Sequence, residues 1–133
     1  MQNRRQFLMS GVAAATATAA LGVAPAFAGG HGRIGEFTGK SNHVTKGRAE
    51  LVEQDGKIVV NLLDDFWFDG APDPKVALGN NGYDKSTLVG TVLTSNTGAQ
   101  SYVIPNATDG AKYNEVWIWC EKFNVPLGVA KLN

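Results

Sequence analysis

Short alternations of apolar and polar residues, separated by turn residues, run along the chain from residue 34 onward. Residues 48–53 alternate between two faces, with Ala49 and Leu51 on one of them, which is typical of a half-buried strand. The dipeptide Asp55-Gly56 predicts a two-residue hairpin turn into a returning strand. No segment has helical periodicity over roughly three turns.

This pattern predicts an all-β domain, an antiparallel β-sandwich of jelly-roll-like form with about seven to nine short strands. A small barrel is the alternative arrangement at this strand spacing. Residues 64–68 either continue the returning strand or bend away from it. The predicted strands are 34–38, 48–53, 57–63, 75–78, 87–94, 99–104, 114–120 and 127–132.

The first 28 residues have the three-part plan of an export signal. Arg4-Arg5 is followed by Phe7-Leu8, residues 10–23 are Ala-rich and apolar, and Ala26-Phe27-Ala28 is a small-x-small cleavage site. The arginine pair resembles a twin-arginine signal, while Asn3 and Met9 depart from that pattern and leave general secretion open. We expect a signal peptide at 1–28, a flexible leader at 29–33, and one domain at 34–133 in the periplasm or outside the cell.

Charge and cysteine content narrow the function classes. The 133 residues carry 12 Lys and Arg against 12 Asp and Glu, and removal of the signal arginines leaves a slightly acidic domain. This balance argues against binding to nucleic acid, which needs clustered basic residues. A lone cysteine forms no intramolecular disulfide and builds no Cys-rich metal cluster. After signal cleavage no segment is expected to hold the domain in a membrane.

Cys120 closes the apolar strand 114–120 and is the main candidate for chemistry. Because alternate residues of a strand share a face, Cys120 lies with Val116 and Ile118, and Trp117 and Trp119 lie on the other face. One interpretation is a small buried apolar side chain, since free cysteines are often buried. The other is a redox thiol or a ligand, placed near the end of a strand where access is feasible.

A bound cofactor has few candidate ligands. His31 and His43 are the only histidines, and a blue-copper site needs two His, one Cys and usually an axial Met, which the mature chain lacks. Covalent haem attachment is excluded by the absence of a Cys-x-x-Cys-His motif. Noncovalent haem would use Cys120 or His43. Haem and copper therefore remain open as cofactors, although no ligand motif indicates either of them, and no metal is assigned.

Loop carboxylates and aromatic residues offer weaker hypotheses. A group of four aspartates could bind calcium, although solvated loop carboxylates are the favoured interpretation. The aromatic residues form either a binding face or part of the core, and Trp117 and Trp119 are also weak candidates for cofactor contacts. No nucleophile–base set is recognisable, so a redox or binding module is favoured over a turnover enzyme. The aspartates are Asp64, Asp65, Asp69 and Asp73, and the aromatic residues are Trp67, Trp117, Trp119, Tyr102 and Tyr113.

Four segments, in order, resemble the DM-thirteen domain, also called the electron-transfer DM domain. Residues 69–78 resemble its Gly-Pro-Asp-centred segment, and residues 98–105 its Gly-x-Gln-x-Tyr-x-x-Pro segment. Residues 116–120, Val-Trp-Ile-Trp-Cys, are similar to its Val-x-Ile-Trp-Cys strand, and residues 123–125 and 128–132 to its final strand. The resemblance covers about residues 35–132, nearly all of the mature chain.

This resemblance implies an exported β-sandwich with a role in electron transfer. It also implies that Cys120 is the redox centre, either as a thiol or as a ligand to a prosthetic group, and that a separate redox partner protein is used. The alternative function is a non-catalytic module that binds a ligand, or mediates adhesion, through a rim formed by the loops 69–75 and 105–114.

Overall fold

The computed structural model describes residues 32–133, which form ten antiparallel strands and two 3-10 turns. Eight strands make one sheet in the order β7-β6-β9-β10-β1-β3-β4-β8, and β2 and β5 make a second, small sheet. The all-β, antiparallel prediction is confirmed. The strands are β1 Arg33–Gly39, β2 Thr45–Lys46, β3 Arg48–Gln54, β4 Lys57–Leu62, β5 Trp67–Phe68, β6 Pro74–Gly79, β7 Tyr83–Asp84, β8 Gln100–Val103, β9 Glu115–Cys120 and β10 Val125–Lys131.

Strand β1 serves both halves of the large sheet. Its first part, residues 33–36, pairs with β3, and its last part, residues 37–39, pairs with β10. A strand that changes partners in this way turns the corner between two packed sheets. The apolar faces of the two halves meet in one core that includes Leu51 and Val60 from one half and Val76, Ile118 and Leu127 from the other.

The register of the strands gives the domain two distinct ends. At one end β9 finishes at Cys120, opposite the start of β6 at Pro74 and the start of β10 at Val125. We call this the Cys120 end; it also carries the loops 40–44 and 63–66. At the opposite end lie the Asp55-Gly56 turn, the loop 80–82 and the loop 105–114, and we call it the hairpin end.

Three details differ from the sequence prediction or resolve it. Segment 87–94 is not a strand: after the 3-10 turn Lys85–Thr87 it is irregular, and only Val89 and Leu93 donate backbone hydrogen bonds to β6, at Val76 and Pro74. Arg33, the last residue of the predicted leader, is the first residue of β1, where it pairs with Leu51 of β3, and its guanidinium donates to the carbonyls of Gly110 and Tyr113. Segment 64–68 bends away, since β5 pairs with β2.

The predicted signal peptide and residues 29–31 of the predicted leader lie outside the described residues. Within residues 32–133, no helix has the length and apolar character needed to cross a membrane.

Candidate functional site

The thiol of Cys120 lies in the apolar core at the last position of β9. Its side chain belongs to the same cluster of buried residues as Val116, Ile118 and Val76, and only 1% of the residue is exposed. Trp117 and Trp119 are half-buried on the opposite face of the strand, as the alternation predicts. Cys120 is a free cysteine. Its burial separates the thiol from solvent, so any reaction there requires local opening of the Cys120 end.

The turn that follows Cys120 is fastened to the loop before β6. The carboxylate of Asp73 accepts a hydrogen bond from the backbone N–H of Lys122 (3.0 Å), and its carbonyl accepts one from Glu121 (3.3 Å). Lys75 forms ion pairs with both Asp73 and Glu121. The hydrogen bond to Glu121 is the main reason why the pKa of Lys75 is raised, so this lysine stays charged. The turn that follows Cys120 is therefore held by a small network centred on Asp73.

His43 binds Asp69 and makes no hydrogen bond to Cys120 in the part of the chain that the structure describes. Its Nδ1 lies 2.8 Å from Oδ1 of Asp69, whose Oδ2 accepts the backbone N–H of Val44 (2.9 Å). The hydrogen bond from His43 lowers the pKa of Asp69. This pair joins the loop after β1 to the loop before β6, and it does not bring an imidazole to the thiol.

The four candidate aspartates do not converge on one point. Asp65 binds the backbone and the guanidinium of Arg48, Asp69 binds His43, and Asp73 holds the turn after Cys120. Asp64 is exposed. Among residues 32–133 no group of three or more His, Cys, Asp or Glu side chains is placed to hold a metal ion.

An aromatic cluster covers the outer face of the sheet behind Cys120. The rings of Tyr83 and Trp119 are stacked, with centroids 3.7 Å apart and planes 9° apart, and Trp117 meets Trp119 edge-on at 5.8 Å. The other candidate aromatic residues lie elsewhere: Tyr102 and Tyr113 are buried in the core, and Trp67 is exposed on β5. Sequence reasoning missed Tyr83, because β7 is only two residues long and carries no alternation.

Glu115 is a buried carboxylate that sequence reasoning also missed. It is 2% exposed, and its Oε1 accepts hydrogen bonds from the backbone N–H of Gly82 (2.8 Å) and from Nε1 of Trp117 (3.1 Å). Its Oε2 lies 3.4 Å from Nζ of Lys131. The signal in the sequence is a single charged residue at the start of an otherwise apolar strand that ends at Cys120.

The two loops proposed to form a ligand-binding rim lie at opposite ends of the domain. Loop 69–75 leads into β6 at the Cys120 end, while loop 105–114 lies between β8 and β9 at the hairpin end. The backbone N–H of Gly110, in loop 105–114, donates a hydrogen bond to the carboxylate of Glu53. Because Glu53 adjoins the Asp55-Gly56 turn, this contact places loop 105–114 at the hairpin end. The two loops therefore do not form a single rim.

A family model described as "Electron transfer DM13" matches residues 36–132, from β1 to the residue after β10. The chain belongs to the electron transfer DM13 family. No curated protein and no solved structure matches it. Membership of this family supports a redox-related module. The residues that the family model matches include β9, the strand that ends at Cys120.

The described residues of this DM13 domain do not gather the ligands of a two-His, one-Cys copper site. Cys120 is enclosed by apolar residues, and the one described histidine, His43, is held by Asp69. A copper site of the two-His, one-Cys type needs its ligands gathered around one point, and such a group is absent from the described part of the domain.

Proposed function

We propose that this DM13 protein is an exported electron-transfer module whose redox centre is the thiol of Cys120. The observation that carries the proposal is the position of this free, buried thiol at the end of β9, a strand within the residues that the family model matches, and next to a turn held by Asp73. The buried position also supports export. A lone exposed thiol in an oxidising compartment is open to cross-linking, and burial prevents this.

The proposed step is a two-electron oxidation of Cys120 by a small hydroperoxide. The sulfur attacks the terminal oxygen of the O–O bond and an S–O bond forms. The leaving alkoxide, or hydroxide in the case of hydrogen peroxide, takes up the thiol proton as an alcohol or water, which leaves a sulfenic acid. A reducing thiol then forms a disulfide with Cys120 and releases water, and a second thiol restores the original thiol. Two electrons thus pass from the two reducing thiols to the peroxide, and the proposed redox partner protein supplies those thiols.

Local opening at the Cys120 end is the step that admits the reactants. The hydrogen bond from Lys122 to the Asp73 carboxylate holds the turn closed, and a bond to a charged acceptor contributes about 1.5–3 kcal/mol. The open state is therefore a minor population in equilibrium with the closed one. Substitutions that weaken the network around Asp73 raise this population without touching the thiol.

We expect Asp73→Ala to increase the rate at which Cys120 reacts with a thiol reagent in the folded protein by about tenfold. Loss of about 1.4 kcal/mol of the free energy that holds the turn closed raises the population of the open state about tenfold. The measurement is the rate of labelling by a maleimide, followed by mass spectrometry, under conditions where the protein stays folded. After hydroperoxide treatment, a sulfenic-acid reagent such as dimedone is expected to modify Cys120. The extent of modification is expected to rank the variants in the same order as the rate of maleimide labelling.

The matched control is Asp65→Ala, which removes a carboxylate at the same end that binds Arg48 instead of the turn after Cys120. Its labelling rate is expected to stay close to that of the original protein. A thiol that reacts in neither the original protein nor Asp73→Ala before denaturation would overturn the proposal of a working thiol.

Export by the twin-arginine route is tested by changing Arg4 and Arg5 together to lysine in the full chain. We expect the double variant to accumulate as the uncleaved precursor in the cytoplasm of a bacterial host, because the arginine pair is the feature that resembles that signal. Cell fractionation followed by mass spectrometry of the N-terminus measures this. The control is Lys40→Arg in the domain. Normal export and cleavage of the double variant would instead indicate general secretion.

A further inference from the structure

Two tryptophans on the outer face of β9 have different hydrogen-bond acceptors. Nε1 of Trp117 donates to the carboxylate of Glu115 (3.1 Å), whereas Nε1 of Trp119 donates to the neutral amide oxygen of Asn124 (3.1 Å). A carboxylate accepts a proton readily, and an amide oxygen does not. Glu115 and Trp117 are two residues apart on one strand, so they share a face and the contact is built into the strand.

The carboxylate of Glu115 is shielded from water and held in place beside the indole of Trp117. Glu115 is almost completely buried, and its position is fixed by the backbone N–H of Gly82 and by Lys131. The Cβ of any residue larger than glycine at position 79 would crowd Nε1 of Trp117 and the carbonyl of Gly82. The geometry that links indole and carboxylate is therefore specified by residues on three separate segments.

We propose that Trp117 and Glu115 form a second redox site, at which loss of one electron from the indole is coupled to transfer of its Nε1 proton to the carboxylate. This proposal rests on the electron-transfer role of the domain and not on Cys120. The electron passes to an oxidised metal complex on a partner, which is reduced by one electron. The products are a neutral indole radical and a protonated Glu115, and an incoming electron with return of the proton restores both.

The neighbouring rings provide the route to the surface. Trp117 touches Trp119, and Trp119 is stacked on Tyr83, so an electron leaves Trp117 through rings in van der Waals contact. Asn124 offers oxidised Trp119 no acceptor for its Nε1 proton, and Trp117 returns an electron to Trp119. Burial, together with the charges of Glu121 and Asp84, raises the pKa of Tyr83, so the phenol keeps its proton.

The third tryptophan lies in the wrong environment for this role. Trp67 is 44% exposed, and Nζ of Lys46 lies 5.7 Å from its ring centroid. A positive charge over the ring disfavours a second positive charge on the oxidised indole. Trp67 nevertheless contacts water, which accepts protons, so it is removed from the test by Trp67→Phe.

The experiment uses the full domain carrying Trp67→Phe, with tris-bipyridine ruthenium(III) generated by a light pulse as the oxidant. Transient absorption distinguishes the neutral indole radical from the radical cation, which absorbs at longer wavelength. We expect the neutral radical to dominate and its formation to slow in D₂O. Glu115→Gln is expected to slow its formation at least about tenfold, because a positioned proton acceptor has been removed.

Glu115→Gln is the sharpest variant because the glutamine oxygen still accepts the N–H groups of Gly82 and Trp117. Trp117→Phe is expected to leave only the radical cation, and Trp119→Phe to leave the neutral radical. Circular dichroism checks that each variant is folded. A neutral radical that forms equally fast in Glu115→Gln, or that survives in Trp117→Phe, would overturn the proposal.

Cys120→Ala separates this site from the thiol chemistry proposed above. The radical signals are expected to be unchanged in that variant, and their loss would assign the radical to a path through Cys120 and overturn the pairing of Trp117 with Glu115. A thiol that fails the labelling test leaves the signals of Trp117 intact, so the two proposals fail independently.

Discussion

Phe66→Ala is expected to lower the free energy of unfolding by about 3–5 kcal/mol. Phe66 is 2% exposed and packs edge-on against Phe37, with ring centroids 5.6 Å apart. It lies between β4 and β5 at the Cys120 end, and its backbone is fixed by hydrogen bonds to Leu63 and Gly98. Because the backbone is held on both sides, the surrounding chain has little freedom to collapse into the cavity left by the ring.

Urea denaturation followed by tryptophan fluorescence measures this effect as a shift in the midpoint with an unchanged slope. The melting temperature is expected to fall by at least about 10 °C in a domain of this size. Phe66→Leu is the matched control, because it keeps most of the apolar volume and should cost much less. A loss below about 1.5 kcal/mol in Phe66→Ala would mean that the loop repacks freely.

Gly47→Ala is expected to destabilise the domain by about 2–4 kcal/mol. Gly47 has a φ of +89°, a conformation that L-residues with a side chain seldom adopt, and an added Cβ would overlap the backbone carbonyl of Asp65. The carbonyl of Gly47 also accepts the N–H of Phe37 in β1, so a shift of the chain to relieve the overlap would break this hydrogen bond.

Gly56→Ala is the control that separates backbone strain from overlap. Gly56 has a similar φ of +77°, but no atom lies within 4 Å of an added Cβ at that hairpin turn. Its expected cost is only about 1 kcal/mol, from backbone strain alone. Equal destabilisation of the two variants, measured by urea denaturation, would show that the contact between position 47 and Asp65 has no energetic consequence.

Regular hydrogen-bonded pairing is what made most of the fold predictable. The Asp55-Gly56 turn joins β3 to β4 as its sequence predicts, with positive φ at both residues. Segment 87–94 is also rich in apolar residues, but its hydrogen bonds to β6 do not have the spacing of a strand pair. Val89 and Leu93 each bind β6, yet they are four residues apart on this segment and their acceptors only two apart on β6. Residues 90–92 therefore bulge outward, and no ladder forms.

The candidate site was predictable only as far as it depends on one strand. Alternation along β9 placed Cys120 and Trp117 on opposite faces, as they are in the structure, but it left open whether Cys120 is buried. The contacts that control these side chains come from distant segments: Asp73 holds the turn after Cys120, and Tyr83 stacks on Trp119. The burial of Glu115 likewise depends on Gly82 and Lys131. No local pattern encodes such contacts, because the sheet topology creates them.

The double pairing of β1 has a consequence for how the protein is made. Half of this strand pairs with β10, so contacts near the start of the domain wait for residues about 90 positions later in the chain. The half of the large sheet that contains β9 and β10 cannot close while β10 is still being synthesised, so part of the nascent chain stays open until that strand is complete. The appearance of β10 is therefore expected to set the moment at which the domain completes its fold.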